Sequence, residues 1–405
     1  MIPFSPPRMD QQIVEEVGKV LLSGWITTGP RTKEFEKRLT SYIGCRKVIC
    51  LNSATAGMEL VLRWFGIKEG DEVIIPAYTY CATANVVMHC GATPVMVDVD
   101  EKDFNISVAN VRKAITSKTK AIIPVDISGF PCDYEALNAL VNEEGIKANF
   151  NPNSEEQKQL GRILVMADAA HSVGAKYQGN MNGSVTDVAV FSFHAVKNLT
   201  TAEGGAVCLN LPEQFDVDEI YKALNIKSLH GQSKDALAKV KAGGGNWRYD
   251  VIEPGYKCNM MDIQAAIGLV ELERYDSNLG RRKEIFDFYT KAFQNEPWAI
   301  QPAFLNDEKE SSYHLYMLRI NGATEAQRDE IINKIFEKQV SVNVHFQPLP
   351  LLTAYKSRGY DINAYPEAFN KYKNEITLPV YFNLTNDNLT TITDAVITSV
   401  NEVMG

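Results

Sequence analysis

The chain lacks the signatures of several large classes of protein. Its seven cysteines include no CxxC pair and lie mostly in apolar strand-like runs, which argues for reduced thiols in a core and against a disulfide framework or a zinc site. No run of apolar residues approaches the length needed to cross a bilayer, so no membrane association is expected. The opening MIPFSPPRMD has no apolar stretch of the signal-peptide kind, and a cytoplasmic location is the expectation. Basic residues form no stripe and are outnumbered, 41 against 50 acidic, for a net charge of -9, which speaks against nucleic acid as a partner. Internal repeats and low-complexity tracts are absent too. An acidic protein that binds a phosphate-bearing ligand must do so with a local site of backbone amides and placed cations.

What remains is an ordinary globular composition, 45% hydrophobic and 22% charged. A length of 405 residues exceeds what one core usually supports and predicts two packed domains. Residues 10–22 place Ile13, Val14, Val17, Val20 and Leu21 on one helical face that ends at Gly24, and a second amphipathic helix turns Phe35, Leu39 and Ile43 inward before Gly44. Short Val/Ile-rich runs then recur at 47–51, 72–75, 94–98, 121–125, 163–167, 188–193 and 206–209, separated by stretches that can be helical. Continuous apolar runs suit strands covered on both faces, so an α/β fold with a mostly parallel sheet between helices is predicted. From Met260 a long helical text runs to about Gln294, with a break expected near Gly280. A strand at 313–321, a helix at 325–338, a strand at 341–345 and a closing helix from Asn386 predict a smaller α/β domain. The polar segment 146–161 reads as an exposed insertion. The expected division is an N-terminal segment, 1–24, packed on the small domain, then a large domain, 25–270, and a small C-terminal domain, 271–405.

Four stretches carry chemistry. The run 188–193 ends in a polar loop with His194 and Lys197, closed by Gly204 and Gly205. Ligands of open α/β sheets sit outside the carboxyl ends of strands, where a partly desolvated lysine becomes a nucleophile toward a carbonyl. Most loop lysines are merely solvated, so this loop needs support. The run 163–167 supplies it by delivering Asp168, followed by AAHSVGA with His171. A carboxylate there is costly without a cation; a protonated pyridine nitrogen is one, although a helix-starting aspartate would look the same. In NSATAG, residues 52–57, small and hydroxylated residues between a strand and a helix can cradle a phosphate with backbone N–H groups and the Ser53 and Thr55 hydroxyls. In YTYCAT, residues 78–83, Tyr80 offers an aromatic face for a planar ring. Taken singly, the last two stretches would pass for an ordinary helix cap and a core tyrosine.

Together these stretches resemble the sugar aminotransferases of the DegT/DnrJ/EryC/StrS family, fold type I of the pyridoxal-phosphate enzymes. The likeness runs along the chain from SGWITTGPRTKEFE (23–36) through SFHAVKNLTTAEGG (192–205) and PGYKCNMMDIQAAIG (254–268) to VHF (344–346). In the form SFHA, KN and AEGG it is most similar to the branch that aminates a UDP-4-keto-pentose in lipid A modification. The resemblance implies pyridoxal 5'-phosphate as cofactor, Lys197 as the Schiff-base lysine and Asp168 as the partner of the ring nitrogen. It places His171 near the ring oxygen, Tyr80 against the ring, and Ser192 with Ala54 and Thr55 at the phosphate. It implies a homodimer in which a polar residue of the PGY motif reaches the neighbouring subunit's phosphate. Most members read GYNYR where this chain reads GYKCN, so either Lys257 or Asn259 could be that residue. His194, and the small-domain residues His314, Tyr316 and His345, are candidate substrate contacts. Where relatives often carry Glu before the aspartate and a His-x-Tyr-Gly, Ala167 and the Asp126 segment stand here, and both are expected to flank the pocket.

The implied reaction moves an amino group from L-glutamate to a keto carbon of a nucleotide-linked sugar, C4 and UDP being favoured, for lipid A or other cell-surface polysaccharide synthesis. Three alternatives compete with it. A 3-keto-sugar could be the acceptor. Members that remove a sugar hydroxyl carry His in place of the Schiff-base lysine, which Lys197 disfavours. A non-catalytic cofactor-binding regulator would carry a DNA-binding module, for which there is neither room nor basic charge.

Overall fold

Seven strands form the central sheet of the computed structural model, which describes residues 1–233 and 249–405. In chain order they are β1 (Lys47–Leu51), β2 (Glu72–Pro76), β3 (Thr93–Val97), β4 (Thr119–Ile122), β5 (Leu164–Asp168), β6 (Val188–Ser192) and β7 (Gly205–Leu209). Their spatial order is β1-β7-β6-β5-β4-β2-β3; β7 runs antiparallel to both its neighbours and the other pairings are parallel. Strands β4 to β7 are buried along their whole length, which is why their sequences read as unbroken apolar runs. Side chains alternate between two cores. Leu164, Met166, Val188 and Val190 join the core on one face, and Val165, Ala167, Ala189 and Phe191 the core on the other.

A second sheet, antiparallel and three-stranded, joins Ala299–Ile300, Tyr316–Ile320 and Glu375–Leu378. Its own core is closed by the helices Glu325–Glu337 and Asn386–Met404. The long helical text breaks at Arg274 and not at Gly280, leaving Asp262–Glu273 and Tyr275–Phe293. Gly280 lies on the exposed side of the second helix, where a glycine interrupts nothing. That helix changes core along its length: Tyr275 and Leu279 pack with the large sheet, Ile285, Phe286, Tyr289 and Phe293 with the small one.

Two further expectations need correction, and one strand is added. Segment 341–345 forms no strand; Asn343 makes a single bridge to Thr377. The strand that pairs with Tyr316–Ile320 is instead Glu375–Leu378. The stretch 146–161 is not a loose insertion: Gln157, fully buried, and Ser154 donate to the Phe65 carbonyl at 3.0 Å, and Asn153 donates to Asp71 at 2.6 Å. Those contacts lie at the amino end of β2, on the side of the sheet away from the strand ends that face the cavity described below.

The N-terminal segment is divided. Ile2 pairs with Val340 beside the small sheet, whereas helix Gln11–Ser23, capped by Asp10, lies along helix Asp262–Glu273. Ile13 and Val20 are buried there, but Val14, Leu21 and Leu22 remain 60%, 54% and 92% exposed. One neighbouring helix covers only a narrow stripe, so the rest of the apolar face is open in a single chain.

Candidate active site

The carboxyl ends of β1, β2, β5 and β6 surround a cavity of about 470 Å³, closed from the small-sheet side by His314, His345 and Phe346. Asp168 ends β5 on the face of Leu164 and Met166, which is the cavity face. It is 5% exposed, accepting from Thr83 Oγ1 at 2.8 Å and from the Ala170 amide at 3.3 Å. Burial raises its pKa, opposed by those two donors and by Lys197. Among the described residues no arginine lies with it in the cavity lining, so the carboxylate is built to receive a cation from a ligand.

Lys197 follows β6 in a loop held at several points. Its amide donates to the His194 carbonyl at 2.9 Å, and the Phe193 amide and carbonyl are paired with Gly204 and Thr201. Asn198 ties the loop to the opposite wall: Nδ2 donates to Ser312 O at 2.7 Å, Oδ1 meets His314 Nδ1 at 2.8 Å, and its carbonyl accepts from Asn278 at 2.6 Å. Burial pushes the Lys197 amine down to about 8, with Asp168 pulling the other way. A much larger share of it is neutral near physiological pH than for a free lysine.

At the end of β1 the chain turns into helix Ala54–Trp64. Ser53 caps this helix by accepting from the Ala56 amide at 3.1 Å, and no acidic residue stands in its first turn. Register places Ser192, Gly205 and Leu51 in one row. A Cβ on Gly205 would lie 2.3 Å from the Ala54 nitrogen, so glycine is required for the strand to approach this helix start. Helix amides, a cleared approach and the Ser192 hydroxyl make an anion cradle at one end of the cavity. Tyr80 stands at the rim, 60% exposed, its ring 5.9 Å from that of Phe346. His171 is buried, packs 5.8 Å from Phe346 and 4.5 Å from His314, and its Nδ1 has no hydrogen-bond partner among the described residues. A buried imidazole nitrogen left bare in this way marks where a ligand group fits.

Most residues singled out from the sequence therefore meet. Ala54, Thr55, Tyr80, Asp168, His171, Ser192, His194, Lys197, His314 and His345 all line the cavity. Tyr316 does not; it is fully buried in the small-sheet core against Phe286 and Tyr289. Asp126 and Ala167 do not flank it either. Ala167 points to the opposite core, and Asp126 is fully buried under Tyr134, Ser172, Cys132 and Asn182. Lys257 and Asn259 lie outside this cavity, in a neighbouring hollow that shares Ser53 and Glu203 with it. The 257–259 loop is held beside β1, with the Asn52 amide donating to Cys258 O at 2.8 Å.

Several contributors carried no signal of their own. Phe4 and Ser5 line the cavity, and Phe4 stacks on His345 at 5.5 Å. Thr83 could have been suspected from its place in YTYCAT; Phe4, at an irregular N-terminus, could not.

A family model described as the DegT/DnrJ/EryC1/StrS aminotransferase family matches residues 7–150 and 155–397. The chain belongs to this family. As a member it is a pyridoxal-phosphate-dependent aminotransferase with the type I fold, and the cavity fits that cofactor: an anion cradle, a lysine with a lowered pKa, and a buried carboxylate awaiting a cation. Among solved structures, a Streptococcus pneumoniae protein, Spr1654, provisionally assigned as a sugar aminotransferase, is similar in its PMP form with TM-score 0.96 and 46% identity over 100% of both chains. The same protein in its PLP form gives TM-score 0.95 and 45% identity. Helicobacter pylori PseC, an aminotransferase involved in the biosynthesis of pseudoaminic acid, is similar with TM-score 0.85 and 26% identity over 99% of both chains. The Bacillus subtilis (strain 168) spore coat polysaccharide biosynthesis protein SpsC is 36% identical over 401 residues, 98% of this aminotransferase and 96% of SpsC.

Proposed function

We propose that this aminotransferase moves an amino group from L-glutamate to the C4 keto carbon of a UDP-linked sugar, for lipid A or another cell-surface polysaccharide. The single observation that carries the sugar reading is the lining of the cavity. Among the described residues it holds no lysine or arginine besides Lys197, and its small-sheet wall is imidazole and aromatic, which suits a hydroxyl-rich acceptor. The likeness to PseC and SpsC supports an acceptor of this class. The SFHA, KN and AEGG pattern favours a UDP-4-keto-pentose, with a 6-deoxy-hexose as the nearest alternative.

The residues then take these roles. Bound pyridoxal phosphate supplies an electron sink that lets an amino group leave one carbon and join another. Lys197 would anchor the cofactor covalently, and its freed amine would carry the proton from the donor's α-carbon to the cofactor's C4′. Asp168, oriented by Thr83, holds a proton on the facing ring nitrogen. Ser192 and the Ala54–Thr55 helix start bind the phosphate, Tyr80 covers the ring, and His171 stands beside the ring oxygen. His194, His314 and His345 face the acceptor.

The active unit is a homodimer in which Lys257 or Asn259 of one chain completes the other's phosphate site. Exposed apolar residues around that loop support this: Val251, Ile252 and Met261 are 53%, 61% and 42% exposed, in addition to Leu21 and Leu22 on the first helix. The test is a panel of UDP- and dTDP-linked 3-keto and 4-keto sugars with glutamate, read by mass spectrometry. A 4-amino sugar and 2-oxoglutarate in equal amounts is the expected result. Turnover of a 3-keto-sugar alone would overturn the regiochemistry and leave the transaminase standing.

A further inference from the structure

We infer that His314 determines acceptor specificity, reading one sugar hydroxyl through a bare Nε2, and that Asn198 is the positioning residue that fixes its tautomer. This rests on the sugar-acceptor reading above and names the group that recognises that acceptor. Asn198 can be oriented in only one way. Its Nδ2 donates to the Ser312 carbonyl at 2.7 Å, so Oδ1 is the atom 2.8 Å from His314 Nδ1. An amide oxygen only accepts, so the proton of His314 sits on Nδ1. The ring is neutral, because burial drives its pKa well below the usual value and His171, Lys197, Arg282 and His345 add to that. Nε2 therefore carries a lone pair, and it has no hydrogen-bond partner among the described residues.

The surroundings specify what must satisfy that lone pair. His314 lines the cavity, is 4% exposed, and packs with its ring 4.5 Å from that of His171. Its backbone is held as firmly as its ring: Arg282 donates to the His314 carbonyl at 3.3 Å, and the His314 amide donates to Ser128 O at 3.2 Å. Unlike the fully buried Nδ1 of His171, this acceptor opens on the cavity, and a sugar hydroxyl is the neutral donor that an acceptor sugar carries. A carboxylate has no proton to give to this atom. Such a site disfavours an analogue lacking the hydroxyl, because the bound analogue shuts water away from a lone pair it does not satisfy. Asn198 follows Lys197 directly, so the loop that holds the reactive amine also sets the reading face of His314.

The experiment has two arms. Nitrogen-15 histidine spectra of the cofactor-loaded wild type, from about pH 6 to about pH 9, should show His314 as the Nδ1–H tautomer throughout. UDP-xylose, which has the hydroxyls but no keto group, should shift the Nε2 resonance toward a hydrogen-bonded position. Asn198→Ala should release the tautomer. In the kinetic arm, His314→Phe should raise the KM for a UDP-4-keto-pentose by about tenfold or more, with a much smaller change in kcat. His314→Gln, which restores an acceptor oxygen, should recover most of the loss. A proton found on Nε2, or an acceptor KM in His314→Phe within twofold of wild type, overturns the assignment. Should no keto-sugar be turned over by the wild type, the sugar reading fails, and the spectra still decide whether Nε2 is bare and engaged by hydroxyl.

Discussion

Asp126 and Asp168 end neighbouring stretches of the same sheet and touch through the backbone, the Asp126 amide donating to the Asp168 carbonyl at 3.2 Å, yet they serve opposite purposes. Asp126 is fully enclosed. Tyr134 and Cys132 donate to one oxygen at 2.6 and 2.9 Å, and Ser172 and Asn182 to the other at 2.7 and 2.6 Å. Asp168 has Thr83 and one longer backbone contact, and looks into the cavity beside Lys197. Burial raises the pKa of both carboxyls. Burial thus does not distinguish a functional carboxylate from a structural one. The count of protein donors does: the aspartate already satisfied by protein holds the fold, and the one left short is there for a ligand.

The largest effect that could break this comparison comes from the residue facing Asp168. Lys197→Ala should fold normally yet lose the visible band of the lysine-bound cofactor and about 10⁴-fold of its transamination rate, read by absorbance and coupled glutamate assay. The two aspartates should then separate cleanly. Asp168→Asn should retain the cofactor and the unfolding midpoint but lose about 100- to 1000-fold in kcat, because a neutral amide cannot hold a proton on the ring nitrogen. Asp126→Asn should do the reverse, costing about 3 kcal/mol of stability in chemical denaturation by turning an acceptor toward donors, while the folded fraction keeps near-native kcat. Equal kinetic loss in both variants would dissolve the distinction.

How legible was this from sequence? The carboxyl-end residues of the large sheet were readable, because each follows a continuous apolar run and so announces its place. Lys197 and Asp168 were read in this way, whereas Ser192, inside its run, came only from the family likeness. The error over Asp126 and Ala167 has a physical cause. Adjacent residues of a strand face opposite cores, so proximity to Asp168 in the chain placed Ala167 on the wrong face. The small-sheet wall was harder to read. Tyr316 and His314 are two residues apart, yet one opens a strand in the core and the other lines the cavity from irregular backbone just after Tyr313, whose φ is 56°. No period runs through such a bend. Asn198 and Phe4 act through contacts made far along the chain, with Ser312 and His345, which no local pattern encodes.

Two smaller effects sharpen the picture. Chains carrying Lys197→Ala mixed with chains altered at both Lys257 and Asn259 should recover about a quarter of wild-type activity, since random pairing makes half the dimers mixed, each with one intact site. Absence of recovery in confirmed mixed dimers would place the 257–259 loop's contribution within its own subunit. The pH dependence of cofactor capture follows from the Lys197 amine, lowered to about 8. The neutral amine is the nucleophile, so stopped-flow capture of pyridoxal phosphate by cofactor-free protein should rise about tenfold per pH unit below that value and level off above it. An ordinary lysine would keep rising to about pH 10.

The most direct test of the account is where the cofactor is bonded. The holoenzyme is reduced with borohydride, digested, and mapped by peptide mass spectrometry. The account predicts the cofactor's mass on one peptide, that of the 192–205 loop, at Lys197. The same mass on any other lysine, Lys257 included, with Lys197 unmodified, would contradict it.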